Sequence, residues 1–340
     1  MNLLEQLHQA GIPLAEHELM SRRTTFGIGG EALLLRPNTR EELQTAVSLC
    51  RAAGKPPFIL GRGSNLLVSD AGIARPVIQL SEGFAAVTRE GSSLRCGAGA
   101  SLISVCRAAA EQSLSGIEWA YGIPGSLGGG IYMNAGAYGG ELRDVLTEVT
   151  FLDEEGIYRT VPAAELGLSY RHSIFEERDC VIVEAVLALT PAEEPAIRAA
   201  MEDYMSRRRE KQPLEYGSAG STFKRPAGNY ASALVDQCGL KGLSVGGAEV
   251  STKHAGFIIN RGGATAADVK KLIAEVQRIV REKTGYTLEC EVKFIDTELE
   301  ACPAMKASWT LSTGLGKPAM PPYCRRVAMA SRRPVRILWQ

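Results

Sequence analysis

Apolar positions recur along this chain at two spacings, about 3.6 residues and 2 residues, and the switches between them lay out its elements. Leucines at helical spacing over residues 3–20, broken by Gly11 and Pro13, predict a short N-terminal helix and a lead-in. Apolar runs at 32–35 and 58–60, then at 66–68, 77–80, 87–90 and 94–97, predict short strands. Between the first two, Thr39 and Glu42 form a capping-box pattern that opens an amphipathic helix, which Gly54 stops. A helix over 101–112 follows. Further on, the runs 149–152 and 157–161 flank Asp153-Glu154-Glu155-Gly156 as a hairpin, and 180–189 is a long apolar strand.

The composition changes after a proline-bounded linker at 191–195, where a charged helix over 196–211 begins. A loop at 212–228, a helix at 230–238, a strand at 256–260, a helix capped by Thr265 with Asp268, and a strand at 288–295 make a second, smaller unit. Strands outnumber helices in the first half, so the expected class is α+β rather than a doubly wound sheet. The expected divisions are 1–20 as a lead-in, 21–190 as a first domain, 191–297 as a second, and 298–340 as a tail. Residues 302–340 carry seven basic residues and no acidic one, without sustained periodicity, so this tail is expected to be mostly disordered or loosely attached.

Composition narrows the function by exclusion. Lys plus Arg and Asp plus Glu are both 38, so no global field favours nucleic acid or an anionic membrane as a partner. No apolar run reaches the ~18 residues of a membrane span, and residues 1–20 do not read as a secretory leader, which predicts a cytoplasmic protein without membrane insertion. Eight cysteines without C-x-x-C spacing and four histidines with no pair at ligand spacing predict buried free thiols and no metal site.

The candidate chemistry begins in residues 121–140, YGIPGSLGGGIYMNAGAYGG, about half glycine or other small residues and wholly uncharged. Glycine at that density suits backbone that turns with positive φ or closely approaches a ligand. Without a lysine or arginine, the segment would hold an anion by backbone N–H groups. A second such turn is Gly61-Arg62-Gly63-Ser64-Asn65. It lacks the third glycine of a dinucleotide fingerprint, since Leu66 stands there and opens a strand instead of a helix. A phosphate-binding G-x-x-x-x-G-K-[ST] loop is absent, because Gly316-Lys317 is followed by Pro318.

Seven motifs in one order carry a resemblance: 24–30 (TTFGIGG), 61–70 (GRGSNLLVSD), 121–140, 170–175 (YRHSIF), 211–226 (KQPLEYGSAGSTFKRP), 254–263 (HAGFIINRGG) and 284–295 (TGYTLECEVKFI). Together they resemble the UDP-N-acetylenolpyruvoylglucosamine reductase (MurB) family, in its shorter type without a tyrosine-bearing insertion. The resemblance implies an FAD-binding domain of the PCMH/vanillyl-alcohol-oxidase type followed by a smaller α+β substrate-binding domain. It also implies non-covalent FAD, NADPH as co-substrate, and reduction of UDP-N-acetylglucosamine enolpyruvate to UDP-N-acetylmuramate in peptidoglycan precursor synthesis. For FAD it points to the backbone of Gly61, Gly63, Ser64 and Asn65, and of Gly122, Gly125, Ser126, Gly128, Gly129 and Asn134.

By the same resemblance Arg171, Ser221 and Glu291 are the catalytic residues, and Lys211 and Arg225 contact the substrate. Those residue types suit the reaction. Hydride addition to an enol ether conjugated with a carboxylate builds negative charge on that carboxylate and leaves a carbon needing a proton. A guanidinium fork answers the charge, a protonated glutamic acid supports the enol, and a serine assisted by Lys224 or Arg225 supplies the proton. Plainer readings stand beside these. Arg171 could be a surface arginine, and Ser221 an ordinary loop hydroxyl next to Ser218 and Thr222. Strict alternation over 288–294 would put Glu289, Glu291 and Lys293 together on a solvated face, so Glu289 rivals Glu291. A flavin oxidase of the same fold and a flavin-binding regulator without turnover are the competing functions.

Overall fold

The structure, a computed structural model, describes residues 1–80 and 82–296. The expected tail at 298–340 lies outside the described residues. Helix α1 (Leu3–Gln9) opens on a capping box between Asn2 and Glu5, and the lead-in after it contains a strand, Leu14–Leu19. That strand is the edge of a four-stranded sheet. It pairs antiparallel with Glu31–Leu35, which lies parallel to Ile73–Gln79, which in turn lies parallel to Phe58–Leu60. Helix α2 (Arg40–Ala52), capped by the Thr39 hydroxyl, turns Leu43, Ala46, Val47 and Cys50 onto this sheet, where Leu35 and Ile78 meet them.

A second sheet of five antiparallel strands runs in the order Tyr158–Pro162, Leu146–Leu152, Val181–Ala188, Ser93–Gly97 and Val87–Glu90. Helix α3 (Leu102–Glu111), capped by Ser101, and the short α4 (Leu127–Tyr132), capped by Ser126, close its core with Trp119 and Phe151. Helix α5 (Glu194–Lys211) also belongs here. Its Ile197 and Met201 are buried in this core, each such burial being worth roughly 2 kcal/mol, so the core changes after α5 and not at the expected 191 boundary.

The C-terminal unit is a second α+β layer pair. Its sheet runs Gly217–Ser221, Phe257–Asn260, Ala248–Val250 and Ser244–Val245, all antiparallel, covered by α6 (Ala231–Gln237) and α7 (Ala266–Thr284). The Thr265–Asp268 capping box starts α7, Gly285 at φ 77° ends it, and Val269, Leu272, Ile273, Val276 and Val280 form its buried stripe.

The two units share backbone and core. Phe26, Ile28 and Leu67 sit in the C-terminal core, and Thr25 exchanges hydrogen bonds with Ser218. Asp70 accepts from the amides of Ala266 and Ala267, capping α7 from the other unit. The chain then returns: Lys293–Ile295 pairs in parallel with Leu66–Val68. The strand expected over 288–295 is thus confined to 293–295, with one isolated bridge between Phe223 and Cys290 before it. Cys50, Cys96, Cys106 and Cys238 are buried free thiols.

Candidate active site

The site is assembled where the turns at 61–65 and 121–126 meet. The 61–65 turn joins two strands, Phe58–Leu60 and Leu66–Val68, which excludes the strand-to-helix geometry of a dinucleotide fingerprint. Gly63 is at φ 63°, and a Cβ on it would lie 2.2 Å from the Arg23 carbonyl oxygen. A Cβ on Gly61 would lie 2.6 Å from the Ser126 hydroxyl, and one on Gly125 would sit 3.7 Å from the Ser64 hydroxyl. The two glycine turns therefore lie against one another and form one wall, at an approach that a side chain at 61 would block. The amides of Arg62, Gly63, Ser64, Asn65, Gly122, Gly125 and Ser126 donate to no acceptor among the described residues. Such a row of unengaged donors fits an anionic group such as the diphosphate of FAD.

Three of the expected cofactor residues differ. The amide of Gly128 is spent on the Ala98 carbonyl at 2.9 Å, and that of Gly129 on the Ser126 hydroxyl at 3.2 Å. Glycine at 128 lets α4 close on Ala98, whose Cβ would be 3.0 Å from an added Cβ. Asn134 is fully buried at φ 42°. Its side chain donates to Glu141 and Ser169 and accepts from Arg143, and its amide donates to Ile131, so it braces the loop and offers no donor to a ligand.

A cation missing from the glycine segment itself comes from α5. The stem of Arg208 lies against Gly122, where an added Cβ would be 2.8 Å from Arg208 Cδ. Arg208 is half-buried and faces no carboxylate among the described residues, and burial lowers its pKa. Its sequence signal is its place three residues before Lys211, hence on the same helix face. Lys211 itself is exposed at the end of α5.

Arg171 and Glu291, 120 residues apart, form the centre. Arg171 holds a left-handed backbone at φ 56°, its Nε donates to Glu291 Oε1 at 2.6 Å, and its Nη2 donates to the Gly136 carbonyl at 3.2 Å. Arg171 is thus half-buried and paired, not a free surface arginine. Glu291 is 8% exposed. Burial raises its pKa and outweighs the lowering by Arg171, Lys224 and Lys293. Glu289, by contrast, is exposed and pairs with Lys224 at 2.5 Å. The simple alternation fails because the segment passes between two bodies, which buries Glu291 and Val292 in succession.

The backbone of Glu291 is fixed from both units. Its amide donates to the Thr222 carbonyl at 2.9 Å, and its carbonyl accepts from Asn65 Nδ2 at 3.1 Å. Ser221 precedes that threonine at the end of its strand and is exposed. In the surrounding hydroxyl run, Thr222 is buried and accepts from the Ile258 amide, and Ser218 accepts from the Gly220 amide at 3.5 Å. The Ser221 hydroxyl makes no hydrogen bond to the described residues. Arg225, exposed, places its guanidinium 4.5 Å from the centre of the Tyr230 ring, and its amide donates to the Tyr170 hydroxyl at 3.3 Å.

The cradle and its contiguous fold define a flavin-binding protein, and comparison agrees: a family model described as an FAD binding domain matches residues 32–161, and one described as UDP-N-acetylenolpyruvoylglucosamine reductase, C-terminal domain, matches residues 212–295. The chain is 47% identical to the UDP-N-acetylenolpyruvoylglucosamine reductase of Syntrophomonas wolfei, over 83% of this chain and 95% of the relative. To that of Listeria monocytogenes it is 44% identical, over 86% and 98%. The solved structure of UDP-N-acetylenolpyruvylglucosamine reductase (MurB) from Thermus caldophilus superposes with a TM-score of 0.72 at 37% identity, covering 83% of this chain and 99% of that one. This chain belongs to the UDP-N-acetylenolpyruvoylglucosamine reductase family, and is an FAD-dependent oxidoreductase.

Proposed function

We propose that this chain reduces UDP-N-acetylglucosamine enolpyruvate to UDP-N-acetylmuramate with NADPH, in the cytoplasm, as a step of peptidoglycan precursor synthesis. FAD, when bound, supplies the chemistry of taking a hydride from NADPH and delivering one to the β-carbon of the enolpyruvyl group. The backbone of Gly61, Gly63, Ser64, Asn65, Gly122, Gly125 and Ser126 would hold its diphosphate and ribityl chain, with Arg208 as the nearby cation. Lys211 would bind the diphosphate of the substrate, and Arg225 would contact the substrate on the loop that carries Ser221.

The remaining work falls to three side chains. Charge that develops on the α-carbon spreads into the substrate carboxylate, and the Arg171 fork would stabilise it there. That interaction draws Arg171 away from Glu291 and adds a second carboxylate beside it, so Glu291 holds a proton and donates a hydrogen bond to the enol-like oxygen. Ser221 would give its hydroxyl proton to the α-carbon and recover one from solvent, which reaches it. Arg225 on the same loop, with Lys224 partly neutralised by Glu289, favours the transient negative charge on the serine oxygen.

One observation carries this reading: the Arg171–Glu291 pair is fastened through the backbone of Glu291 to the 61–65 turn on one side and to the strand end bearing Ser221 on the other. The test is anaerobic. NADPH should bleach the long-wavelength flavin band, and the enolpyruvyl nucleotide added next should restore it with formation of UDP-N-acetylmuramate. A bleached enzyme that stays bleached after the second addition would contradict the proposal.

A further inference from the structure

Glu291 is paired with Arg171, and the loop that carries Arg171 also holds Lys293, two residues after Glu291, through Glu176. Lys224 pairs with Glu289 at 2.5 Å, and Lys293 pairs with Glu176 at 2.9 Å. The second carboxylate oxygen of Glu176 meets His172 Nδ1 at 3.1 Å, beside Arg171 in sequence. Glu176 is the less exposed partner in both contacts, with 21% of its side chain accessible against 42% for Lys293 and 37% for His172. Each lysine is close enough to Glu291 to favour its ionised form. The charged groups acting on Glu291 are therefore Arg171, Lys224 and Lys293, and their own neighbours are Glu289 on Lys224 and Glu176 on Lys293, with His172 and Tyr132 of α4 beside Glu176.

We propose that Glu176 is a positioning residue for the second half of the reaction: by holding Lys293 in an ion pair it keeps that ammonium from drawing the proton off Glu291. Nothing in the catalytic roles assigned above needs a carboxylate at 176, and its two contacts point to no packing role beyond fixing these charges. The inference rests on Glu291 acting in its protonated form. A lysine released beside a buried carboxyl stabilises the carboxylate, so the proton would leave at lower pH. The converse holds for Lys293: without its ammonium, Glu176 becomes an uncompensated negative charge near Glu291 and makes that proton harder to lose.

The test follows flavin reoxidation by the enolpyruvyl nucleotide in prereduced holoenzyme across pH. The alkaline limb should move down by about one pH unit in Glu176→Gln and up by a similar amount in Lys293→Gln, and should return near its original place in the double variant. Glu176→Asp, which keeps the pair, should leave the limb nearly in place. Lower rates with an unmoved limb in both single variants, or movement in the same direction in both, would overturn the inference. If Glu176→Gln does not fold, the upward shift in Lys293→Gln decides the matter alone, and an unmoved limb there counts against it. Glu291→Gln separates the two levels: its amide cannot ionise, so the limb should vanish. A limb that persists in Glu291→Gln contradicts the role of Glu291 itself, whereas a limb absent there yet unmoved in the position 176 and 293 variants contradicts only this inference.

Discussion

Asn65 of the glycine turn donates its side-chain amide to the backbone carbonyl of Glu291 at 3.1 Å, 226 residues later, while its own carbonyl accepts from the Lys293 amide at 3.0 Å. The turn that lines the cofactor cradle thus also sets the position of the buried carboxyl. Removing the side chain should uncouple them. Asn65→Ala leaves a part-buried carbonyl without its donor, at a cost of about 1–3 kcal/mol. Chemical denaturation should show that loss, and stopped-flow flavin reoxidation should slow by more than flavin reduction does.

The pH dependence follows from burial of Glu291. Its pKa is raised, and in the proposed mechanism the second half-reaction uses a proton on the carboxyl, so reoxidation by the nucleotide should fall as pH rises through that value. For stability the sign is the same: a group with a raised folded pKa contributes stability that is present below its unfolded pKa and lost as pH rises through its folded one. Glu291→Gln should therefore flatten the alkaline fall of the unfolding free energy, which urea titrations at several pH values would measure. A steeper fall in the variant would contradict the assignment.

Arg208 is a half-buried cation with no carboxylate partner among the described residues, which makes it a poor contributor to the cofactor-free fold. Arg208→Met keeps the stem against Gly122 and removes the charge. Apoprotein of this variant should be at least as heat-stable as the original, yet should bind FAD roughly tenfold more weakly by fluorescence titration, equivalent to the loss of one charge-assisted hydrogen bond. Unchanged affinity for FAD with weaker binding of UDP would instead place Arg208 with Lys211 on the substrate side.

Much of the architecture is legible in the sequence because it is local. The helices α2, α3 and α7 announce themselves through Thr39, Ser101 and Thr265 with their following apolar stripes. The hairpin at Asp153–Gly156 is equally local: Leu146–Leu152 and Tyr158–Pro162 pair across it. What escapes is set by distant partners. The strand Leu14–Leu19 is half polar without alternation and takes its conformation from pairing with Glu31–Leu35, and α5 looks like the start of a new unit until Ile197 and Met201 are seen in the first core. At the site, the family resemblance nominates Arg171, Ser221 and Glu291, whereas residue type and spacing alone leave Arg171 and Ser221 as ordinary surface residues and do not separate Glu291 from Glu289. That distinction depends on which carboxylate the return of the chain to Leu66–Val68 buries. Glycine content marks the cradle without saying which amides remain unengaged, because Gly128 and Gly129 serve helix packing and capping.

The most direct test of the whole account is a comparison of the two half-reactions in Ser221→Ala. The exposed hydroxyl has no structural partner among the described residues, so the variant should fold and take up FAD normally. Reduction by NADPH should proceed at nearly the original rate, while reoxidation by UDP-N-acetylglucosamine enolpyruvate should slow by roughly 10²–10⁴-fold, the scale expected for loss of a positioned proton donor. Equal slowing of both half-reactions, or reoxidation at the original rate, would contradict the assignment of Ser221 and with it the division of labour proposed for the Arg171–Glu291 centre.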